Sequence, residues 1–225
     1  MDGSRTPPRI ECRLQALKLA QACAELGARV RTIAVLTGLP ARELLELLFP
    51  DRQAVPRGRP PESPDWYHTA NLLYRTEASI AMALYRRLRE ADIGPAEALV
   101  GAYRQYRGVC EPPHRISFDR AFDLAGHTDG LWFTSVRSFS LVACPGCHST
   151  FLAAYGAIAL SNDECPFCKL VQRYGTDTRV QASFPVRPLA DLSGVPLGVR
   201  ELLRASAPRS AADLEGGDSG KTGSP

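Results

Sequence analysis

The sequence is poor in lysine, histidine and long apolar runs, and each shortage excludes something. Only three of its 27 basic residues are Lys and four residues are His; against 24 acidic residues the net charge is +3. A surplus that small, spread along the chain, does not by itself identify a nucleic-acid partner. The longest apolar run, Phe151 to Leu160, is far short of the ~20 residues of a membrane-spanning helix. The opening MDGSRTPPRIECR has no apolar core of the kind a signal peptide needs, so a cytoplasmic location is expected. There is no phosphate loop, nucleophile elbow or His-Glu-x-x-His run, the histidines are scattered, and no carboxylate pair sits at a suggestive spacing. An enzyme, a small-molecule substrate and a membrane partner are therefore not expected, and there is no internal repeat. With 44% apolar residues in 225, the chain has enough material for a core.

The charge that is present is uneven. Between Arg5 and Arg59 ten Lys or Arg face five Asp or Glu, whereas the remainder is close to balanced. If one segment meets phosphate, it is this one, although the excess of arginine over lysine also fits base composition.

The first 135 residues read as helices. Residues 10–26 contain no Gly or Pro, carry Leu14, Leu17 and Cys23 or Leu26 near helical spacing, and stop at Gly27. Two short helical stretches follow, 28–36 and 41–49, separated by Thr37-Gly38-Leu39-Pro40. That cadence is a helix-turn-helix over 28–49, with Ala34 at the close approach, Gly38 in the turn, and Ile33, Leu39, Leu44 and Leu47 as the apolar wedge. Residues 50–64 contain five prolines and form an extended connection or arm. Ser63-Pro64-Asp65 is a helix start, predicting a long helix to about Ala91 with Trp66, Ala70, Leu73, Ile80, Leu84 and Leu88 on one face. Further helices are expected at about 95–108 and 117–126, bounded by Gly94-Pro95, Gly108, Pro112-Pro113 and Gly126.

From Phe139 the pattern turns to short β-compatible pieces, SFSLVAC and TFLAAY, around cysteines. Cys144-Pro145-Gly146-Cys147, 17 intervening residues, and Cys165-Pro166-Phe167-Cys168 have the two-knuckle spacing of zinc ribbons. Two residues between cysteines let a tight turn aim both thiolates at one point, and a second such turn completes a tetrahedron. The insert suits a hairpin that brings the knuckles together. Four thiolates leave no open position for water or substrate, so the predicted cofactor is one structural Zn²⁺ per chain, on the order of 10 kcal/mol of binding that a region this poor in apolar surface needs to fold. Rubredoxin-like iron, a redox dithiol pair, and His148 in place of one cysteine are the alternatives. Cys12, Cys23 and Cys110 lack partners at ligand spacing and are read as buried small residues. After about Thr176 an extended, partly disordered tail is expected, with one short helix at 199–205.

With helices and knuckles in place, further stretches carry a resemblance. Glu25-Leu26-Gly27-Ala28-Arg29, Ser63-Pro64-Asp65-Trp66-Tyr67, Ala102-Tyr103-Arg104-Gln105-Tyr106, Arg120-Ala121-Phe122 and the two CxxC pairs occur in order, and together the chain resembles the flagellar transcriptional activator FlhC family over about residues 10–172. The resemblance implies an α-helical protein with a carboxyl-terminal zinc region that assembles with the FlhD subunit, binds promoter DNA of flagellar operons and works with the RNA polymerase holoenzyme. It also implies that Cys144, Cys147, Cys165 and Cys168 are the metal ligands. The tail after about Tyr174 and the Arg57-Gly58-Arg59 arm depart from the family's pattern.

For DNA, a helix-turn-helix places the start of its second helix in the major groove, which nominates Arg42, with Arg29 and Arg31 near phosphates. Glu43 and Glu46 on that helix oppose groove insertion and suit a protein partner instead. Arg57 and Arg59 have the form of a minor-groove hook, or belong to a plain proline-rich connector. Arg86, Arg87 and Arg89 could also touch phosphates but are read first as a solvated helix end whose charge suits the dipole, and the tyrosines and Trp66 as core or subunit interface.

The expectation is thus a mainly α protein: a helical domain over 1–135 with a helix-turn-helix-like segment, a zinc-ribbon-like region of four cysteine ligands over 136–175 and a tail over 176–225. The function expected is the DNA-binding subunit of an activator. The alternative is a zinc-containing adaptor that never touches DNA.

Overall fold

Gly27 and Gly38 both take the left-handed conformation, with φ of 81° and 71°, and each ends a helix where the sequence places a stop. The computed structural model describes residues 9–51, 53, 55, 56, 58, 65–134, 136–154 and 165–185. The chain divides into units 1–185 and 186–225, and all the described residues lie in the first. Arg57, Arg59, the Ser63-Pro64 helix start and the expected helix at 199–205 lie outside them.

The protein is mainly helical. Helix α1 (Arg9–Glu25) precedes the pair α2 (Val30–Thr37) and α3 (Ala41–Leu48), then α4 (Asp65–His68), α5 (Leu72–Glu90), α6 (Pro95–Val109) and α7 (Phe118–Asp129). Strands β1 (Phe139–Ala143) and β2 (Thr150–Ala154) form an antiparallel pair, and helices α8 (Pro166–Tyr174) and α9 (Thr178–Ser183) follow.

The helix-turn-helix turn forms as the sequence predicts. The Gly38 N–H donates to the Ala34 carbonyl, and the Thr37 hydroxyl donates to Ile33 O while accepting from Leu39 N–H. Ile33, Leu39 and Leu44 are buried, but Leu47 is 57% exposed, because it lies on the outward side of α3. The start of α2 is closed from a distance: Asp119 of α7 accepts from the Arg29 backbone N–H, from Arg29 Nη1 at 2.8 Å and from the Thr32 hydroxyl. A carboxylate there satisfies orphan donors and suits the positive end of the helix dipole.

Three helical expectations need correction. The long helix from Asp65 is two helices, since Asn71 interrupts it and caps α5 by accepting from Tyr74 N–H. On α1 only Ala20 and Cys23 are buried; its first half extends past the core, leaving Leu14 half exposed and Cys12 exposed, whereas Cys23 and Cys110 are buried as expected. The segment after Thr176 opens with α9 and is not wholly extended.

Helix α5 organises the fold. It packs against α6, α7, α8 and both strands, so its buried face is wider than one stripe and includes Thr76, Glu77, Ser79, Met82 and Tyr85. The polar members have partners. Glu77 accepts from the Tyr106 hydroxyl, from Arg115 N–H at 2.9 Å and from the Arg115 guanidinium, and Arg115 Nη2 also donates to the Ser183 hydroxyl of α9 at 2.8 Å. Burial, followed by the bond to Glu77, pushes the Tyr106 phenol well above its usual range, so it stays a donor. This network ties α9 back to the helical body, which local sequence could not reveal.

Removing Arg115 leaves the Glu77 carboxylate buried without its cation. Arg115→Ala is expected to cost about 3–5 kcal/mol in denaturant unfolding, and hydrogen exchange should show α9 losing protection before α6 does.

Candidate functional site

The first knuckle is the turn of the β1–β2 hairpin itself. Phe139 pairs with Ala154 and Ala143 with Thr150, so Cys144 to Cys147 occupy the hairpin's tip. There the Ser149 carbonyl accepts from Cys144 N–H, the Cys144 carbonyl accepts from His148 N–H, and Gly146 N–H points at Cys144 Sγ from 3.4 Å. His148 takes a φ of 58°, which lets the chain reverse within so few residues. The first part of the 17-residue insert is β2, paired with β1, and residues 155–164 are outside the described set. The second knuckle opens α8, with Pro166 as its first residue and Lys169 N–H donating to the Cys165 carbonyl.

Period-two alternation along β2 explains how the site is attached. Leu152 joins the helical core, while Phe151 and Ala153 pack in a second cluster with Cys144 and Cys165, beside Val142 and Phe167. The outer edge of β2 is covered: the Leu152 carbonyl accepts from the Tyr67 hydroxyl at 2.6 Å, and Leu152 N–H donates to the Ser79 hydroxyl at 3.2 Å.

The sulfurs converge. Cys144 Sγ is 3.7 Å from Cys168 Sγ, Cys147 Sγ is 3.7 Å from Cys165 Sγ, and all four lie within 4.8 Å of one another. A disulfide needs about 2.05 Å. A tetrahedral thiolate centre with bonds of about 2.3 Å needs sulfurs about 3.8 Å apart, which is what these two pairs have. The four cysteines could hold one metal ion, and the set is compatible with structural zinc.

Their proton affinities diverge. Burial raises Cys147, but hydrogen bonds from Ser149 and the neighbouring thiols outweigh it and bring the thiol down to about 6. Cys168, hydrogen-bonded to Cys147, is pushed up to about 12, and burial raises Cys165. One thiolate is stable in this cluster, and further ones repel it unless a cation is shared.

The arginine candidates are placed differently. Arg29 is committed to Asp119 at 2.8 Å and Arg42 to Glu46 at 3.0 Å, while Glu43 pairs with Arg13 of α1 at 2.6 Å. Arg31 is exposed on α2. Near the helix pair Ile10, Leu14, Val35 and Leu47 are exposed apolar residues. Among the described residues no helix is long and apolar enough to cross a membrane.

Compared with known proteins, the chain matches the family model described as flagellar transcriptional activator (FlhC) over residues 10–181. Curated proteins gave no match.

Metal binding should release protons from Cys165 and Cys168 at neutral pH, so affinity rises with pH and is lost on acidification. Below pH about 6 Cys147 also carries a proton, and the number released per ion should increase by one; isothermal titration in buffers of different ionisation enthalpy measures this. Cys165→Ser should remove stoichiometric metal and unfold the region around α8, as seen by near-ultraviolet dichroism.

Proposed function

Because the chain belongs to the FlhC family of flagellar transcriptional activators, we propose that it is the DNA-binding subunit of a heteromeric activator, assembled with the FlhD subunit, that turns on flagellar operons with the RNA polymerase holoenzyme. The family is one of transcription regulators and not of enzymes. The observation that carries this reading is a family match that runs through both the helical body and the cysteine centre.

In this reading one Zn²⁺ is held by Cys144, Cys147, Cys165 and Cys168. Four thiolates close its coordination, so the ion supplies cross-linking and no chemistry. The chain's own residues do the rest: Phe151 and Ala153 pack against Cys144 and Cys165, and Tyr67 and Ser79 fasten the hairpin to the helical body. Arg31 and Arg42 of the helix pair, with Arg57 and Arg59 of the arm, are the proposed contacts to DNA. Arg29 would act mainly by fixing the start of α2 through Asp119.

The adaptor reading keeps one specific support. On α3 Glu46 is matched by Arg42 and Glu43 by Arg13, beside exposed Ile10, Leu14 and Leu47. A face of balanced charge and exposed apolar residues suits a protein partner.

Gel retardation separates the two. The chain co-expressed with FlhD should retain flagellar promoter duplexes in preference to unrelated duplexes, and Arg57→Ala with Arg59→Ala should weaken binding and lower the salt slope by about two. If the zinc-loaded chain and its complex both ignore promoter DNA at low salt, the adaptor reading replaces this one.

A further inference from the structure

A cleft of about 610 Å³ lies where the carboxyl ends of α5 and α7 meet β1. Arg86 and Arg89 reach it from the last turns of α5, and Arg137 reaches it from the connection between α7 and β1. Sequence distance had hidden the third arginine from the other two.

The charges in the cleft do not cancel. Asp129 accepts from the Tyr85 hydroxyl at 2.8 Å and from Arg89 Nε at 3.3 Å, so its charge is spent on partners in its floor. Glu90 is matched by Arg86 Nε at 2.8 Å. Among the described residues Arg137 faces no carboxylate: its Nε donates to the backbone carbonyl of Asp129 at 3.2 Å. Three cations against two carboxylates leave a surplus of one, and Arg137 is exposed.

Each arginine spends part of its fork on a main-chain carbonyl. Arg86 Nη1 donates to Leu141 O, Arg89 Nη1 to Ile93 O and Arg137 Nε to Asp129 O. A helix-end cation needs no more than this. The terminal nitrogens of Arg137 and Nη2 of Arg86 have no partner among the described residues. A guanidinium pinned by one N–H with others to spare is preorganised for the oxygens of a phosphate. Gly130 supports the placement: it ends α7 with a φ of 71°, and a Cβ there would stand 3.4 Å from Arg137 Cγ, so the arginine stem lies closely against it.

We infer that this cleft grips the phosphate backbone of duplex DNA, at a place separate from the helix pair α2–α3. The inference rests on the proposed DNA-binding reading and adds to it a clamp that positions the duplex without reading bases. Arg13, Arg29 and Arg42 near the helix pair are each matched by a carboxylate, as Arg86 and Arg89 are here; the cleft is favoured because it gathers three guanidinium groups in one concavity with Arg137 left over.

The test uses the full chain with its FlhD partner, a promoter duplex and an unrelated duplex of equal length, with affinity measured from about 50 to about 300 mM salt. Arg137→Gln should reduce the magnitude of the slope of log affinity on log salt by about one, and Arg86→Gln with Arg137→Gln by about two, weakening both duplexes by a similar factor of about three- to tenfold per residue. Arg137→Lys should keep the slope, and all variants should keep their metal content and melting temperature. Unchanged slope and affinity in a metal-loaded double variant, where the parent binds DNA, overturn the clamp and leave the DNA-binding reading intact. Loss of FlhD association with intact DNA affinity assigns the cleft to a protein interface and overturns it as well. A parent complex that binds neither duplex at the lowest salt overturns both readings.

Discussion

Four sulfurs brought within 4.8 Å of one another are the constraint on which the carboxyl-terminal part of the structure depends. A two-stranded hairpin is at best marginally stable alone, and the cluster behind this one holds little besides Phe151, Ala153 and the cysteines themselves. The missing cohesion comes from two sides. The knuckles tie the hairpin tip to the start of α8, and α5 with Tyr67 covers the open edge of β2. Remove the first tie and α8 is left to its contacts with α5 and α9; remove the second and the sulfur centre loses its fixed position on the helical body.

The same helix links the rest. On one side α5 presents Ser79 to the hairpin, through Glu77 it holds Arg115 and thereby α9, and at its carboxyl end it delivers Arg86 and Arg89 to a cleft shared with α7 and β1. Its buried polar groups are all engaged, as the cost of an unpaired buried charge requires. A helix so occupied acts as a rigid frame, and cations mounted at its end are held in place by the packing that holds the sulfurs. Structure and proposed function meet there: a chain that positions a duplex needs fixed charges, and the end of α5 with Arg137 gathers three of them in one cleft.

What could be read from the sequence was whatever local chemistry decides. The Cys144–Cys147 and Cys165–Cys168 spacings pointed to four cysteines that could hold a metal, and Gly38 located the turn between α2 and α3, because a CxxC turn and a left-handed glycine are properties of a few adjacent residues. The helical class was legible for the same reason. Tertiary decisions were not. Leu47 and Cys12 look like core by composition yet face outward, since which side of a short helix is buried depends on neighbours far away in sequence. The break at Asn71 was masked by an apolar pattern that runs through it. Helix α9 is held by Arg115, 68 residues from Ser183, and Arg137 joins Arg86 only once α7 and β1 are folded together. Asp119 gave no sign that it caps a helix 90 residues earlier in the chain.

The central claim, a closed centre of four thiolates, is tested most directly by X-ray absorption at the zinc edge on the full chain purified under reducing conditions. The account predicts a single shell of four sulfurs at about 2.3 Å with no nitrogen or oxygen component. A shell containing imidazole or water, or fewer than four sulfurs, would contradict it.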